Sequence, residues 1–294
     1  MSDDDGYQTL HAGYRVKAPA KYAGGKRGLL AQYVPLFPGR FRRYYEPFVG
    51  GGAIFWSLEP SEASIGDMNP DLMAFYLQVR DDPRKIGEII DDWGLKRHDY
   101  ERIRCMRGDM LDQETRASRF LYLNRTGYNG LWRVNARGEM NTPYGVDPEK
   151  ISTPYSHIKF RARLVNMPNM LKCQEILRRT QIFLGDYRET LAKAGEGDFV
   201  FLDPPYLPRG DTTRNFTAYT AGGFGIESHR ELARVYRELD ARGCILMLAN
   251  ADSRSLVPEL YDGYDLCEVK SLRSINSKSN GRGLVSEYVV RNYR

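Results

Sequence analysis

The chain holds only four cysteines and four histidines in 294 residues. Cys105, Cys173, Cys244 and Cys267 are widely separated, form no CxxC pair, and have no histidine at ligand spacing. This excludes a zinc ribbon or a disulfide scaffold and fits a reducing cytoplasm; no metal site is expected. No apolar run approaches the ~18 residues of a membrane span. The first six residues are acidic and polar, without the pattern of a signal peptide. GxGxxG is missing, which disfavours a nicotinamide oxidoreductase. There is neither an internal repeat nor a long low-complexity tract.

What is present suffices for a proper core: 41% of residues are hydrophobic and 12% aromatic. The length allows one large domain or two smaller ones. Net charge is only +5, but it is unevenly placed. From Trp93 to Val165 there are 14 Lys/Arg against 8 Asp/Glu, a local net of +6. All the excess positive charge therefore sits in one central stretch, as in a polyanion-binding segment. Solvated helix faces would give the same imbalance, and charge alone does not separate the two.

The first 69 residues read as α/β. A helical pattern near Lys26–Tyr33 leads to a strand at Arg42–Glu46, a Gly-rich turn, a helix through Ile54–Leu58 and a strand ending at Asp67. From Pro70 the character turns helical, at Asp71–Arg80, Pro83–Trp93, Asp99–Met106 and Glu114–Asn124. Leu131–Val134 and Met140–Tyr144 suggest two short strands around an Asn135–Gly138 turn. After about Pro154 the α/β pattern returns. A helix is expected around Phe160–Cys173, or shorter, then a strand at Thr180–Leu184, a helix at Glu189–Ala194 and a strand ending at Asp203. A helix at Glu227–Arg242 and a strand at Cys244–Ala249 follow. Leu266–Leu272 and Val285–Asn292 form an antiparallel pair joined by a polar loop, Arg273–Gly283.

The most informative segment is Asp203-Pro204-Pro205-Tyr206. It follows the apolar run Phe199-Val200-Phe201-Leu202, which reads as a buried parallel strand. Such strands present functional groups at their carboxyl ends. The prolines stiffen the chain and remove two N–H donors. An acid, an undonated carbonyl and an aromatic ring at one strand end suit a flat ring bearing an exocyclic amine.

A second constellation, Glu46-Pro47-Phe48-Val49-Gly50-Gly51-Gly52, lies where the first strand turns into a helix. Glycines there, Gly50 and Gly52 in particular, let backbone approach a ligand, with Glu46 and Phe48 beside it. Asp67 ends the next strand, where an acid accepts bonds from ribose hydroxyls; it could also cap the helix starting near Pro70. Asp186 ends the third candidate strand and could meet an adenine edge. Four acids (Glu46, Asp67, Asp186 and Asp203) thus close four successive strands.

Lys21-Tyr22-Ala23-Gly24-Gly25-Lys26, the EPFVGGG turn, Gly66–Leu72, Leu123–Gly145, DPPY and Asn215-Phe216-Thr217-Ala218-Tyr219 occur in that order. Together they resemble the Dam-type (D12 class) N6-adenine DNA methyltransferases over nearly all of 17–292. The resemblance implies an S-adenosylmethionine-dependent, Rossmann-like α/β fold, with a mixed, mostly parallel sheet, helices on both faces and one reversed strand. It also implies an inserted helical target-recognition domain carrying a β-hairpin. The division would be 1–69 and 155–294 for the catalytic domain and 70–154 for recognition. Tyr22, Lys26, Glu46, Asp67 and Asp203 would surround the cofactor, and Asp203, Pro204, Pro205 and Tyr206 would form the catalytic motif. Lys21, Leu131, Arg133 and Pro143 fall on positions that face DNA bases. Arg133 is expected to read a guanine through a bidentate contact. Tyr128 and Asn129 fall on positions that distort the duplex, and Arg125 and Asn135 complete the candidate DNA contacts. Related members carry a basic residue where Val146 stands.

The expected activity is site-specific methylation of adenine N6 in double-stranded DNA, with the target base extruded from the helix. A cognate restriction endonuclease is left open as a second partner, with a monomer or weak dimer acting in the bacterial or phage-infected cytoplasm. Glutamine methylators begin the catalytic tetrapeptide with Asn, whereas Asp203 stands here. An RNA substrate stays open from the residues alone. An intact DPPY argues against a DNA-binding regulator that has lost activity.

Overall fold

The computed structural model of the chain describes residues 6–9, 16–22, 25–135, 138–206, 224–250, 256–272 and 284–294. The Asn215–Tyr219 motif, the Arg273–Gly283 loop, Ala23-Gly24 and the middle of the Asn135–Gly138 turn lie outside them.

The elements run β1 (Gln8–Thr9), α1 (Leu30–Tyr33, entered through a 3-10 turn at Lys26–Leu29), β2 (Arg40–Phe41), β3 (Tyr44–Glu46), α2 (Ala53–Leu58) and β4 (Ala63–Asp67). Next come α3 (Pro70–Asp81), α4 (Pro83–Asp91), α5 (Arg97–Arg104), α6 (Gln113–Thr126), α7 (Pro154–Val165) and α8 (Met167–Leu177). Then follow β5 (Thr180–Leu184), α9 (Tyr187–Leu191), β6 (Phe199–Leu202), α10 (Ile226–Ala241), β7 (Ile245–Asn250), α11 (Leu256–Leu260), β8 (Asp265–Leu272) and β9 (Leu284–Arg291).

Seven strands form one mixed sheet in the order β5-β4-β3-β6-β7-β9-β8. β3 to β7 pair in parallel, and β9 runs antiparallel to both β7 and β8. The expected single reversed strand is therefore β9. Side chains alternate between the two faces, as strand geometry requires. Tyr44, Phe199, Phe201 and Met247 join one core cluster, while Tyr45, Val200, Leu202, Leu246 and Leu248 join the other. Burial on both faces explains why β6 reads as an unbroken apolar run. Helices α3 and α8 cover the first face through Leu72, Phe75, Tyr76, Val79, Cys173 and Ile176. α9 and α10 cover the second through Tyr187, Leu191, Leu232, Tyr236 and Leu239.

The first core continues through α4, α5 and α6 by way of Ile86, Ile90, Tyr100, Ile103, Phe120 and Leu123, and reaches Trp132 and Met140. α3 thus serves both the sheet and the central helices. Pro70 and Pro83 sit in first helical turns, where a missing N–H costs nothing, and Asn69 and Asp82 cap from the preceding position.

Two expectations need correction. The helix around Phe160–Cys173 is two helices, α7 and α8, separated at Asn166. Asn166 takes a left-handed conformation (φ 49°), which Asn tolerates, and Pro168 follows in the first turn of α8. The hairpin of Leu131–Val134 and Met140–Tyr144 reduces to two isolated bridges, Gly127↔Tyr144 and Val134↔Met140. Pro143 cannot donate to a ladder, and the Thr142 hydroxyl takes a ladder place by donating to the Leu131 carbonyl at 3.0 Å.

Candidate active site at the carboxyl edge of the sheet

The chain steps outward from β3 to β4 and β5, then returns to β6 on the other side of β3 and continues to β7. The strand order reverses between β3 and β6, which is where open α/β sheets open a crevice for ligands. The turn after β3 and the tetrapeptide after β6 face that point from its two sides. Along this edge the four acids stand in the spatial order Asp186, Asp67, Glu46, Asp203.

The Gly-rich turn is tightly built. Gly50 and Gly52 have positive φ, 46° and 65°. A Cβ on Gly52 would fall 2.8 Å from the Trp56 indole nitrogen, and one on Gly50 would fall 3.0 Å from the Tyr22 ring. Only glycine fits either place. Tyr22 therefore lies along the turn, and its hydroxyl accepts from Asn69 Nδ2 at 3.2 Å. Asp67 accepts the Gly50 N–H on Oδ2 at 3.0 Å and the Asn69 N–H on Oδ1 at 2.9 Å. It pins the turn to the end of β4; capping of α3 falls to Asn69. Burial raises the Asp67 carboxyl above its ordinary range, opposed by the backbone N–H groups of Asn69, Gly50 and Met68. Phe48 packs against Tyr187 (ring centroids 5.3 Å apart) and edge-to-face against Phe224 (5.8 Å). Asp186 caps α9 by accepting the Arg188 N–H at 2.9 Å and pairs with the Arg188 guanidinium at 3.2 Å.

Glu46, on β3, is 2% exposed. Its Oε2 accepts the Tyr44 hydroxyl at 2.8 Å and the Phe55 N–H at 3.1 Å. Burial pushes its carboxyl up to about 8, against the pull of the Tyr44 hydrogen bond. Glu46 is thus mostly protonated at neutral pH.

Across the switch point, Asp203 leaves β6 into a cluster of polar side chains. Its Oδ1 is 2.9 Å from the Lys26 ammonium and accepts the Tyr206 hydroxyl at 3.0 Å. Lys26 also donates to the Tyr206 oxygen, and its ammonium sits 4.7 Å from that ring's centroid. Lys26 is 3% exposed, so this is a buried charge whose partner Asp203 is only partly buried. Burial raises the Asp203 carboxyl, while the Lys26 charge and hydrogen bond pull it down. Burial and the nearby Asp203 and Glu287 carboxylates lift the Tyr206 phenol well above its ordinary range, so it stays protonated. Lys26, expected around the cofactor, thus stands on the DPPY side.

Several of the positions expected to face DNA are tied to one another around the end of α6. Asn124, fully buried on α6, accepts the Lys21 N–H at 2.9 Å, and its amide donates to the carbonyls of Lys21 (2.7 Å) and Gly130 (3.2 Å). One side chain thereby ties the Lys21 segment to the turn that carries Tyr128 and Asn129. Tyr128 is 54% exposed, and Asn129 is exposed in a left-handed conformation (φ 53°). Pro143 accepts the Tyr128 N–H at 2.9 Å. Arg133 is exposed, its Nε on Asn141 Oδ1 at 2.7 Å. Asn135 donates to Glu139 at 2.7 Å, and Leu131 is half-buried. Arg125 is more inward, with Nη2 on the Pro19 carbonyl at 2.7 Å. Val146 is buried, so it offers no surface where related members carry a basic residue.

The sequence model of D12 class N6 adenine-specific DNA methyltransferases matches residues 22–275. The chain belongs to that family. It is 34% identical over 281 residues to "Type II methyltransferase M1.LlaDCHI" of Lactococcus lactis subsp. cremoris, covering 93% of this chain and 94% of that one. It is 32% identical over 300 residues to "Type II methyltransferase M.MjaIII" of Methanocaldococcus jannaschii (95% and 99%). It is 33% identical over 278 residues to "DNA adenine methylase" of Escherichia coli K12 (93% and 94%).

In this D12 methyltransferase, four further residues stand at the site or beneath it that motif reading passes over. Asn124 is one. Glu287 on β9 approaches the Lys26 ammonium at 3.6 Å and accepts the Tyr206 hydroxyl at 3.3 Å. Tyr33 on α1, fully buried, donates to Glu287 at 3.4 Å. His229 on α10 stands edge-on to Phe224 at 4.8 Å; burial pushes it down to about 4, so it is neutral. The signals were present. Glu287 interrupts an apolar strand, and His229 shares a helical face with Leu232, Ala233, Tyr236 and Leu239.

Proposed function

We propose that this N6-adenine DNA methyltransferase takes its methyl group from S-adenosylmethionine and receives the target adenine, turned out of duplex DNA, at Asp203. The observation that carries this reading is the Asp203 carboxylate. It stands across the switch point from the glycine turn, beside an aromatic ring, and already accepts an N–H donor, the Lys26 ammonium, at 2.9 Å.

The donor fits the residues around the turn. Gly50 and Gly52 let the Tyr22 ring and the Trp56 indole close against the turn, Tyr22 and Phe48 offer aromatic faces beside it, and the Asp67 carboxyl stands at its edge among backbone N–H groups. Glu46 supports the turn from below, Lys26 stands on its catalytic side, and Asp186 would close the pocket toward the adenine of the donor. Bound S-adenosylmethionine would supply an electrophilic methyl on a positive sulfonium.

Asp203 and the Pro204 carbonyl accept the hydrogens of the adenine amine, which draws the nitrogen lone pair out of the ring. Pro204 and Pro205 keep this stretch stiff. Tyr206 offers its face to the base and offsets part of an unstacking cost of roughly a few kcal/mol. Positive charge would grow on the amine nitrogen as its bond to the methyl carbon forms and that carbon's bond to the donor sulfur breaks, and a fixed carboxylate stabilises it electrostatically.

Residues 70–154 would form the target-recognition part. Lys21, Leu131, Arg133 and Pro143 would face bases, Tyr128 and Asn129 would enter the distorted duplex, and Arg125 and Asn135 would support them. The local net charge of +6 supports this assignment. A role like that in the names of the Lactococcus and Methanocaldococcus relatives would pair the chain, as a monomer or weak dimer in the cytoplasm, with a cognate restriction endonuclease.

Asp203→Ala should lower methyl incorporation into duplex DNA to background while DNA binding in a gel-shift assay stays within about threefold, because the carboxylate acts on charge that develops only during transfer. Turnover retained by this variant would remove Asp203 from the reaction.

A further inference from the structure

Glu287 is a buried carboxylate that no step above uses. It comes from β9, the reversed strand, and is 8% exposed. Its Oε2 lies 3.6 Å from Lys26 Nζ and accepts the Tyr206 hydroxyl at 3.3 Å and the Tyr33 hydroxyl at 3.4 Å. The same ammonium is 2.9 Å from Asp203 Oδ1, and the same Tyr206 hydroxyl is 3.0 Å from it. One cation and one phenol are therefore shared between two carboxylates. A phenol has a single proton, so Tyr206 donates to Asp203 or to Glu287, never fully to both. A buried and a half-buried carboxylate on one buried ammonium are a costly arrangement for stability alone.

Asp203 has a competing demand. On the reading above it must accept the adenine amine, yet at rest its Oδ1 holds both Lys26 and Tyr206. We propose that Glu287 is a positioning residue that takes the Lys26 ammonium and the Tyr206 hydroxyl proton from Asp203 when the substrate amine arrives. Asp203 then meets the amine as a less engaged acceptor, and Lys26 stays neutralised without leaving the site. No bond to carbon is made or broken in this exchange; one ion pair and one hydrogen bond change acceptor. The charged and titratable groups that face Glu287 are Lys26 from the turn before α1, Tyr33 from α1, and Asp203 and Tyr206 from the segment after β6. Tyr33 is always a donor here, since burial and the neighbouring Glu287 and Asp203 charges hold its phenol well above its ordinary range.

The inference rests on Asp203 as the amine acceptor, and Glu287→Gln tests it separately. Gln keeps the shape, and its one carbonyl oxygen can still accept from Tyr33 and Tyr206; the charge is lost and the other oxygen becomes an NH2 donor. Lys26 then stays on Asp203. We expect kcat for duplex DNA to fall about tenfold or more, a change of roughly 1.4 kcal/mol or above, with KM for DNA within about twofold. The acid limb of the pH–rate profile should move to lower pH, because the nearby Glu287 charge helps to hold the Asp203 carboxyl above its ordinary range. Glu287→Asp, which keeps the charge, should restore a large part of kcat and leave the limb near its original place. If Glu287→Gln melts too low for assay, Glu287→Met removes the charge with an apolar side chain and should give the same kcat loss and limb shift. Wild-type kcat and pH profile in the uncharged variants would overturn the proposal. So would equal losses in Glu287→Gln and Glu287→Asp with an unmoved limb. Turnover by Asp203→Ala would instead sink the reading of Asp203 itself.

Discussion

At the residue scale, one side chain can be made to report on two environments. Glu46 has its carboxyl pushed up to about 8 by burial, from an ordinary value of 4.5. An acid whose pKa is raised on folding favours the folded state below its unfolded pKa, and that contribution is lost as pH rises through the folded value. Glu46→Gln, whose amide oxygen can still accept from Tyr44 and Phe55, removes that loss. The melting temperature of the variant relative to the parent should therefore climb between about pH 5 and pH 8, at roughly 2–4 °C per kcal/mol for a chain of this size. A difference that stays flat with pH would show that Glu46 ionises freely in the folded protein. Arg133 reports on the DNA side. Exposed and held by Asn141, it is free to exchange that partner for a base edge. Arg133→Ala should cost about 1–3 kcal/mol of discrimination at one base pair. Uniform weakening on all sequences, with a shallower salt dependence, would make Arg133 a phosphate contact instead.

At the scale of elements, α6 matters most for how the two halves of the site meet. Its last turn carries Asn124, which bonds the Lys21 backbone in both directions and the Gly130 carbonyl. Next to it, Arg125 holds the Pro19 carbonyl. The segment leading to Lys26 and the turn at Tyr128–Gly130 are thereby fixed to one helix end. Asn124→Ala would strand a backbone N–H and two carbonyls in a buried place, at about 1–3 kcal/mol. Chemical denaturation should show that loss. Because Lys21 and Tyr128 would no longer be held in register, DNA affinity should fall more than the affinity for the methyl donor. Equal loss of both affinities would indicate general loosening rather than an uncoupled surface.

At the scale of the whole molecule, the strand order divides the labour. Outward steps from β3 to β5 build the glycine turn and its acids, and the return to β6 delivers Asp203 beside them. Along the sequence the excess positive charge is confined to 93–165, while the Asp203 cluster holds one ammonium among carboxylates. The site thus suits a cationic donor and the central segment a polyanion. Local pattern was enough for the seven main strands and most helices, because burial on both faces leaves unbroken apolar runs and capping residues mark helix starts. Its failures were local too. Asn166 broke a helix by taking a left-handed backbone, and Pro143 with Thr142 thinned a hairpin to bridges. The residues that the chain alone determined are those in motifs, Gly50 to Gly52, Asp67 and Asp203 to Tyr206, since each needs its neighbours in sequence to work. Glu287, Tyr33 and Asn124 act on partners 254, 81 or 103 positions away. Only the folded sheet could decide those, because hydrogen bonds and ion pairs depend on distance in space, and strand order is what sets it.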